Sequence, residues 1–175
     1  MNAQRSSDSV SASSWRSARL FVTDEFAAPP VILRVDDSVI GTLGNFSAST
    51  GKAKSKKTFN VCAIVAAAMT GGTVLNYSAS LPPEKRRILY VDTEQSRFHC
   101  KRVLCRILRL AGLPTDVHPP LLEFLCLRGY ATKERLRKIE EAIYDLDDLG
   151  LVVIDGIRDL AHDINSPGEA TDLIT

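Results

Sequence analysis

The chain has 175 residues, enough for one domain with a sizeable core. Hydrophobic residues make up 45% and charged residues 25%, which excludes a disordered or collagen-like chain. Lys plus Arg (22) nearly cancel Asp plus Glu (21), so no global basic field advertises a polyanionic partner, and any such affinity must come from local patches.

In chain order, residues Met1 to about Ser17 are serine-rich and poor in apolar side chains, which predicts a mobile tail with Trp15 near the domain. Ala27-Ala28-Pro29-Pro30 reads as a linker, so the tail is assigned to residues 1–28 and the folded unit to 29–175. Val31-Ile32-Leu33-Arg34-Val35 and Ser38-Val39-Ile40 flank Asp36-Asp37, the pattern of a hairpin set before the main sheet. Asn45 to Thr50 is expected to form a short strand ending in a turn. Thr58 to Met69 carries apolar residues at helical spacing. A buried strand follows at Arg87–Val91, then a helix at Ser96–Ala111 stopped by Gly112-Leu113-Pro114. Leu121–Leu127 is a third strand. Thr132 is expected to cap a helix running to about Leu149, with Leu136, Ile139, Ile143 and Leu146 on one face. Leu151–Ile154 is a fourth strand. Strands and helices alternating in this way predict an α/β fold, a mostly parallel sheet flanked by helices on both faces, with ligands bound at the carboxyl ends of the strands.

No run approaches the roughly 18 apolar residues of a membrane span, and the N-terminus lacks a secretory apolar segment. The expectation is a cytoplasmic protein without a membrane partner. Cys62, Cys100, Cys105 and Cys126 form no CxxC pair, and reduced core thiols are the expected reading over a metal site.

The segment ahead of the first long helix is compared with the phosphate-loop pattern Gly-x-x-x-x-Gly-Lys-Ser/Thr. If Gly51-Lys52 closes the motif, Phe46 stands where the first Gly belongs and Ala53 where the hydroxyl belongs. If the motif runs Gly51-Lys52-Ala53-Lys54-Ser55-Lys56-Lys57-Thr58, the one departure is Lys56, and Lys57-Thr58 open the helix. The second register is preferred, and Phe59 completes the candidate binding segment. In it, backbone N–H groups and the helix N-terminus face the phosphates, Lys57 reaches the β- and γ-phosphates, and Thr58 offers its hydroxyl to Mg²⁺. Lys52, Lys54 and Lys56 exceed what this design needs. The plainer alternative is a basic turn before a helix.

Two apolar strands run into carboxylates. Leu151-Val152-Val153-Ile154-Asp155 has the Walker B form, with Asp155 expected beside Thr58 and the metal. Ile88-Leu89-Tyr90-Val91 leads into Asp92-Thr93-Glu94-Gln95. Glu94 is the candidate general base for the water attacking the γ-phosphate, with Lys57 the other candidate catalytic residue. The alternative is that Asp92 and Glu94 cap the next helix.

These three sites in this order resemble the RecA-like P-loop NTPases, and within them the RepA-type and DnaB-type hexameric helicases, AAA-family ATPases of plasmids and mobile elements. The similarity spans roughly Gly44 to Asp163. It implies that Glu94 is the catalytic glutamate, Asp155 the Walker B aspartate and Lys57-Thr58 the phosphate and metal pair. It implies ATP and Mg²⁺ as ligands, DNA as a partner, and assembly as a homo-oligomer such as a hexameric ring. Two departures are Lys56 in place of glycine and an end at Thr175, before the family's sensor residue, DNA-binding loops and arginine finger. The ATPase domain is therefore expected to be C-terminally incomplete. Rival expectations are a nucleotide-binding regulatory module with little hydrolysis, and an assembly scaffold.

His99, His118 and His162 lack ligand spacing. Lys101, Arg102, Arg106 and Arg109 share one helix that either contacts phosphates or faces water. Arg128, Lys133, Arg135, Arg137 and Lys138 allow the same two readings. Arg158 and Asp159 are candidates for orienting the site or bridging subunits, and Asp163 and Asn165 are expected in a loop ending at Pro167-Gly168.

Overall fold

Alternating apolar residues around Asp36-Asp37 build the first hairpin, strands β1 (Val31–Val35) and β2 (Ser38–Thr42), paired antiparallel. Asp36 takes a left-handed conformation in the turn, as a short polar side chain tolerates. The computed structural model describes residues 15–52 and 55–160. Residues 1–14 of the expected tail, Ala53 and Lys54 of the loop, and His162, Asp163, Asn165 and Pro167-Gly168 lie outside the described residues. Trp15–Ala18 is a short 3₁₀ turn, and Trp15 is exposed beneath the guanidinium groups of Arg16 and Arg19.

The hairpin does not stand alone. After helix α1 (Lys57–Thr70), two short strands, β3 (Thr73–Val74) and β4 (Tyr77–Ala79), add to β1 and give a four-stranded antiparallel sheet in the order β2-β1-β4-β3. The sequence reading missed β3 and β4, which are shorter than a periodicity can reveal. Their signal is the pair of β-forming stretches around Leu75-Asn76 that follows Gly71-Gly72.

The second sheet is parallel. Strands β5 (Arg87–Asp92), β6 (Leu122–Cys126) and β7 (Leu149–Asp155) lie in the order β6-β5-β7. Central β5 is buried from Ile88 to Asp92, and its alternation divides the core. Ile88 and Tyr90 face α1 and α2 (Arg97–Leu110), while Leu89 and Val91 face α3 (Thr132–Asp145). Each fully buried aliphatic side chain contributes about 1.5–3 kcal/mol of transfer free energy. Helix α1 is apolar nearly all round because it is sandwiched, touching β3 and β4 of one sheet, β5 of the other, and α2.

Four expectations are corrected. Asn45–Thr50 is no strand: the segment is exposed, its one large apolar side chain, Phe46, is 78% exposed, and Ser47 donates back to the Ile40 carbonyl. With Ser, Ala and Thr elsewhere, it has too little apolar surface to enter a buried sheet. Helix α3 ends at Asp145, and β7 begins at Leu149, earlier than expected. The early start of β7 goes with Gly150, the extra residue of a bulge between the Arg87–Leu149 and Ile88–Leu151 pairs. A Cβ there would lie 1.9 Å from the Lys85 carbonyl oxygen, so only glycine lets β7 pass. Thr132 is the first helical residue of α3 rather than its cap; Ala131 holds that position without a side-chain bond. Ile143 sits at the helix rim, 41% exposed, and Ala142 packs inward instead. Among the described residues no helix is long and apolar enough to cross a membrane.

Candidate functional site

The carboxyl ends of β5 and β7 lie side by side, with Asp92 paired to Asp155 in the ladder, and α1 begins next to them. Thr58, in the first turn of α1, donates its hydroxyl to Asp155 Oδ2 at 3.0 Å. The same oxygen accepts the Tyr90 hydroxyl at 3.1 Å. Tyr90 is stacked on Phe124, with ring centroids 4.6 Å apart and planes 8° from parallel, which aims its hydroxyl. Burial, then the neighbouring Asp155 carboxylate, raises the Tyr90 pKa far above that of a free phenol, so Tyr90 is a permanent donor. Sequence reasoning missed Tyr90, which reads as one more apolar strand residue. Its signal was a hydroxyl two residues before the carboxylate that ends the strand.

Asp92 is buried, and its carboxyl organises the turn that follows. Oδ1 accepts from the backbone N–H groups of Glu94 (3.1 Å) and Gln95 (2.8 Å), and Oδ2 accepts from Gln95 Nε2 (2.9 Å). Burial raises the Asp92 pKa, while the two backbone donors pull it back. Neither acidic residue caps α2: Ser96 holds the N-cap position, and its hydroxyl meets His99 Nδ1 at 2.9 Å. Glu94 is exposed, and its carboxylate makes no hydrogen bond or ion pair among the described residues. Thr93 donates to the Gly156 carbonyl at 2.7 Å and so ties the Glu94 turn to the end of β7. Gly156 has φ +99°, and a Cβ there would fall 2.2 Å from Thr93 Oγ1.

The loop before α1 folds onto its own lysine. Lys57 Nζ donates to the carbonyls of Gly51 (2.8 Å) and Lys52 (3.2 Å). Lys56 takes the left-handed conformation, φ 62° and ψ 22°, at the N-cap of α1. The departure from the glycine pattern therefore falls on a backbone geometry that glycine adopts without cost. Ser55 and Phe59 are exposed at this end of the helix.

A cavity of about 320 Å³ opens beside these groups, lined by Thr58, Glu94, Gln95 and His99 together with Arg102 and Arg106. Thus Thr58, Asp155 and Glu94 meet at one end of the sheet, while Lys57 is turned into its own loop. Arg102 and Arg106 reach this cavity from α2, a role their even helical spacing does not reveal. Of the other basic residues, Arg135 is committed to the fold. It donates to the carbonyls of Arg128, Tyr130 and Asp159 and pairs with the Asp159 carboxylate at 3.6 Å. Arg137 pairs with Glu141, and Lys138 lies over the Tyr130 ring. All four cysteines are free thiols; burial pushes the Cys62 thiol up to about 11. Among the described residues no cluster of three or more His, Cys, Asp or Glu side chains could hold a metal ion.

A family model described as AAA domain matches residues 16–173. No curated protein and no solved structure matches the chain.

Proposed function

Because this chain belongs to the AAA domain family, whose fold and site class carry nucleotide binding and hydrolysis, we propose that it is an Mg²⁺-dependent ATPase coupled to work on DNA. In this reading it is a RecA-like enzyme related to the RepA- and DnaB-type helicases. Residues 29–175 form the ATPase unit behind a tail at 1–28, and the protein acts in the cytoplasm as a homo-oligomer.

The observation that carries the reading is the Thr58 hydroxyl held 3.0 Å from Asp155 Oδ2, in the cavity wall that Glu94 also lines. A hydroxyl at a helix N-terminus and a carboxylate at a strand end are the two oxygen donors that one hard cation uses beside phosphates. The donor set therefore fits Mg²⁺, with phosphate oxygens and water completing its coordination. Bound there by Thr58 and Asp155, the ion would supply charge neutralisation to the phosphates. Gly51 to Phe59 cradle the phosphates in this scheme. Lys57 exchanges the Gly51 and Lys52 carbonyls for phosphate oxygens. Tyr90 holds the Asp155 carboxylate aimed through its hydroxyl. Glu94, held at the backbone by Asp92, accepts the proton of the attacking water.

A second reading, a nucleotide-binding switch with little hydrolysis, draws on Lys56, whose side chain replaces the glycine on the loop. Two substitutions test the site by calorimetry and phosphate release, and turnover by the parent separates the readings. Lys57→Ala is expected to weaken ATP binding by roughly 10- to 150-fold, the loss of a charge-assisted contact worth about 1.5–3 kcal/mol. Glu94→Gln is expected to leave binding intact and slow turnover by about 10²- to 10⁴-fold. Unchanged affinity in the first rejects the phosphate register. A parent protein that binds ATP but releases no phosphate supports the switch.

A further inference from the structure

Helix α2 buries Cys100, Val103, Ile107 and Leu108 against the core. The opposite stripe carries Phe98, Lys101, Arg102, Cys105, Arg106 and Arg109, at spacings of three and four residues, and these line an open groove of about 620 Å³. Lys101, Arg102 and Arg109 are exposed, and none of the four cations takes part in an ion pair among the described residues. Phe98 is 68% exposed, and its ring meets His99 edge-on. Four positive charges along about 12 Å of helix form a concentration of charge that a chain of net charge +1 does not share generally.

From this we infer that the outer face of α2 binds single-stranded nucleic acid, with Lys101, Arg102, Arg106 and Arg109 on successive phosphates and Phe98 stacked against a base. The inference rests on the DNA role proposed above and names the surface that serves it. Closely spaced unpaired cations call for a closely spaced polyanion. An exposed aromatic ring among them selects a single strand, because a duplex hides the faces of its bases within the stack. A protein partner would need an apolar centre, and this stripe has a cationic one. Arg102 and Arg106 also line the cavity that holds Thr58 and Glu94, so a strand on α2 touches the same side chains as the nucleotide site.

The test is fluorescence anisotropy of labelled oligothymidylate and of a labelled duplex with the 175-residue chain at several salt concentrations, with ATP affinity measured in parallel. The variant Lys101→Glu/Arg109→Glu changes two residues that lie outside the Thr58–Glu94 cavity. It is expected to bind oligothymidylate at least tenfold more weakly, with ATP affinity unchanged and a salt slope shallower by about 1.4, from about 0.7 per lost single-strand phosphate contact. Phe98→Ala is expected to lose roughly tenfold on oligothymidylate, keep the salt slope, and leave duplex affinity unchanged. Lys101→Gln/Arg109→Gln, milder in charge, repeats the direction if the reversals disturb folding. Equal oligothymidylate affinity in parent and charge variants overturns the α2 surface and leaves the DNA role standing. A parent that binds ATP but no nucleic acid at low salt removes both the surface and the DNA half of the proposed function. Self-association that the charge variants abolish, with nucleic-acid binding unchanged, makes the stripe a subunit interface and overturns the inference.

Discussion

Lys56 shows how one residue concentrates the chemistry of a loop. At φ 62° its backbone occupies a region that costs a side-chain-bearing residue about 1–2 kcal/mol. The conformation is needed because the chain must turn from the Gly51 region into α1 while Lys57 Nζ stays near the Gly51 carbonyl. Lys56→Gly is therefore expected to preserve or strengthen ATP binding, whereas Lys56→Val, β-branched and poorly tolerated at positive φ, weakens it. Calorimetric titration of the two variants checks this, and equal affinities would show that the loop geometry is not limiting. Lys56 was legible in the sequence as a departure from a motif. That the departure coincides with left-handed backbone was not, because a motif records residue types and not dihedrals. Asp92 differs. The sequence offers it only as a cap for the next helix, and the fold makes it the acceptor that holds the Glu94-Gln95 turn.

At the scale of elements, β5 and β7 were readable because a run of apolar residues ending in a carboxylate is a local signal. Their start points were less so. The beginning of β7 depends on Gly150 passing the Lys85 carbonyl, a contact between residues far apart in sequence. The same end of the sheet is tied by Arg87, which binds Asp148 at 2.7 Å and Glu123 at 3.3 Å and so joins β5 to its two neighbours. The hydrogen bond from Arg87 holds the Asp148 carboxyl below the usual carboxylate range. A depressed folded pKa means that the bridge contributes fully above the unfolded value of about 3.9 and is lost as pH falls through the folded value. Asp148→Asn is expected to lower the melting temperature at pH 7, with the difference from the parent closing as pH drops below about 3.9. Thermal scans across that window test it, and a difference that persists at low pH would point to packing instead. Asn45–Thr50 failed as a strand for a complementary reason: the motif demanded one, but the segment has little apolar surface to bury.

Over the whole molecule, Thr58, Asp155 and Glu94 come from three separate elements and meet only because β5 and β7 are adjacent and parallel with α1 laid across their ends. A ligand that bridges those elements should stabilise all of them together. With ATP-Mg²⁺ at about 100 times its dissociation constant, the expected gain is about 2.7 kcal/mol, seen as a rise in melting temperature that Lys57→Ala cuts to what about 0.3–1.4 kcal/mol gives. An equal rise in that variant would mean that the nucleotide binds elsewhere.

By itself the sequence determined the α/β class, the three main helices, the apolar strands and the order in which loop, glutamate and aspartate appear along the chain. Those properties rest on periodicity and on neighbouring residues, which a one-dimensional reading contains. Only the tertiary structure decided that β3 and β4 complete an antiparallel sheet with the hairpin. It also decided that Tyr90 holds Asp155, that Arg135 is spent on the fold, and that the cations of α2 face outward beside the Thr58–Glu94 cavity. Each of these depends on which elements become neighbours, and that is set by the burial of the two faces of β5 and not by any local stretch of residues.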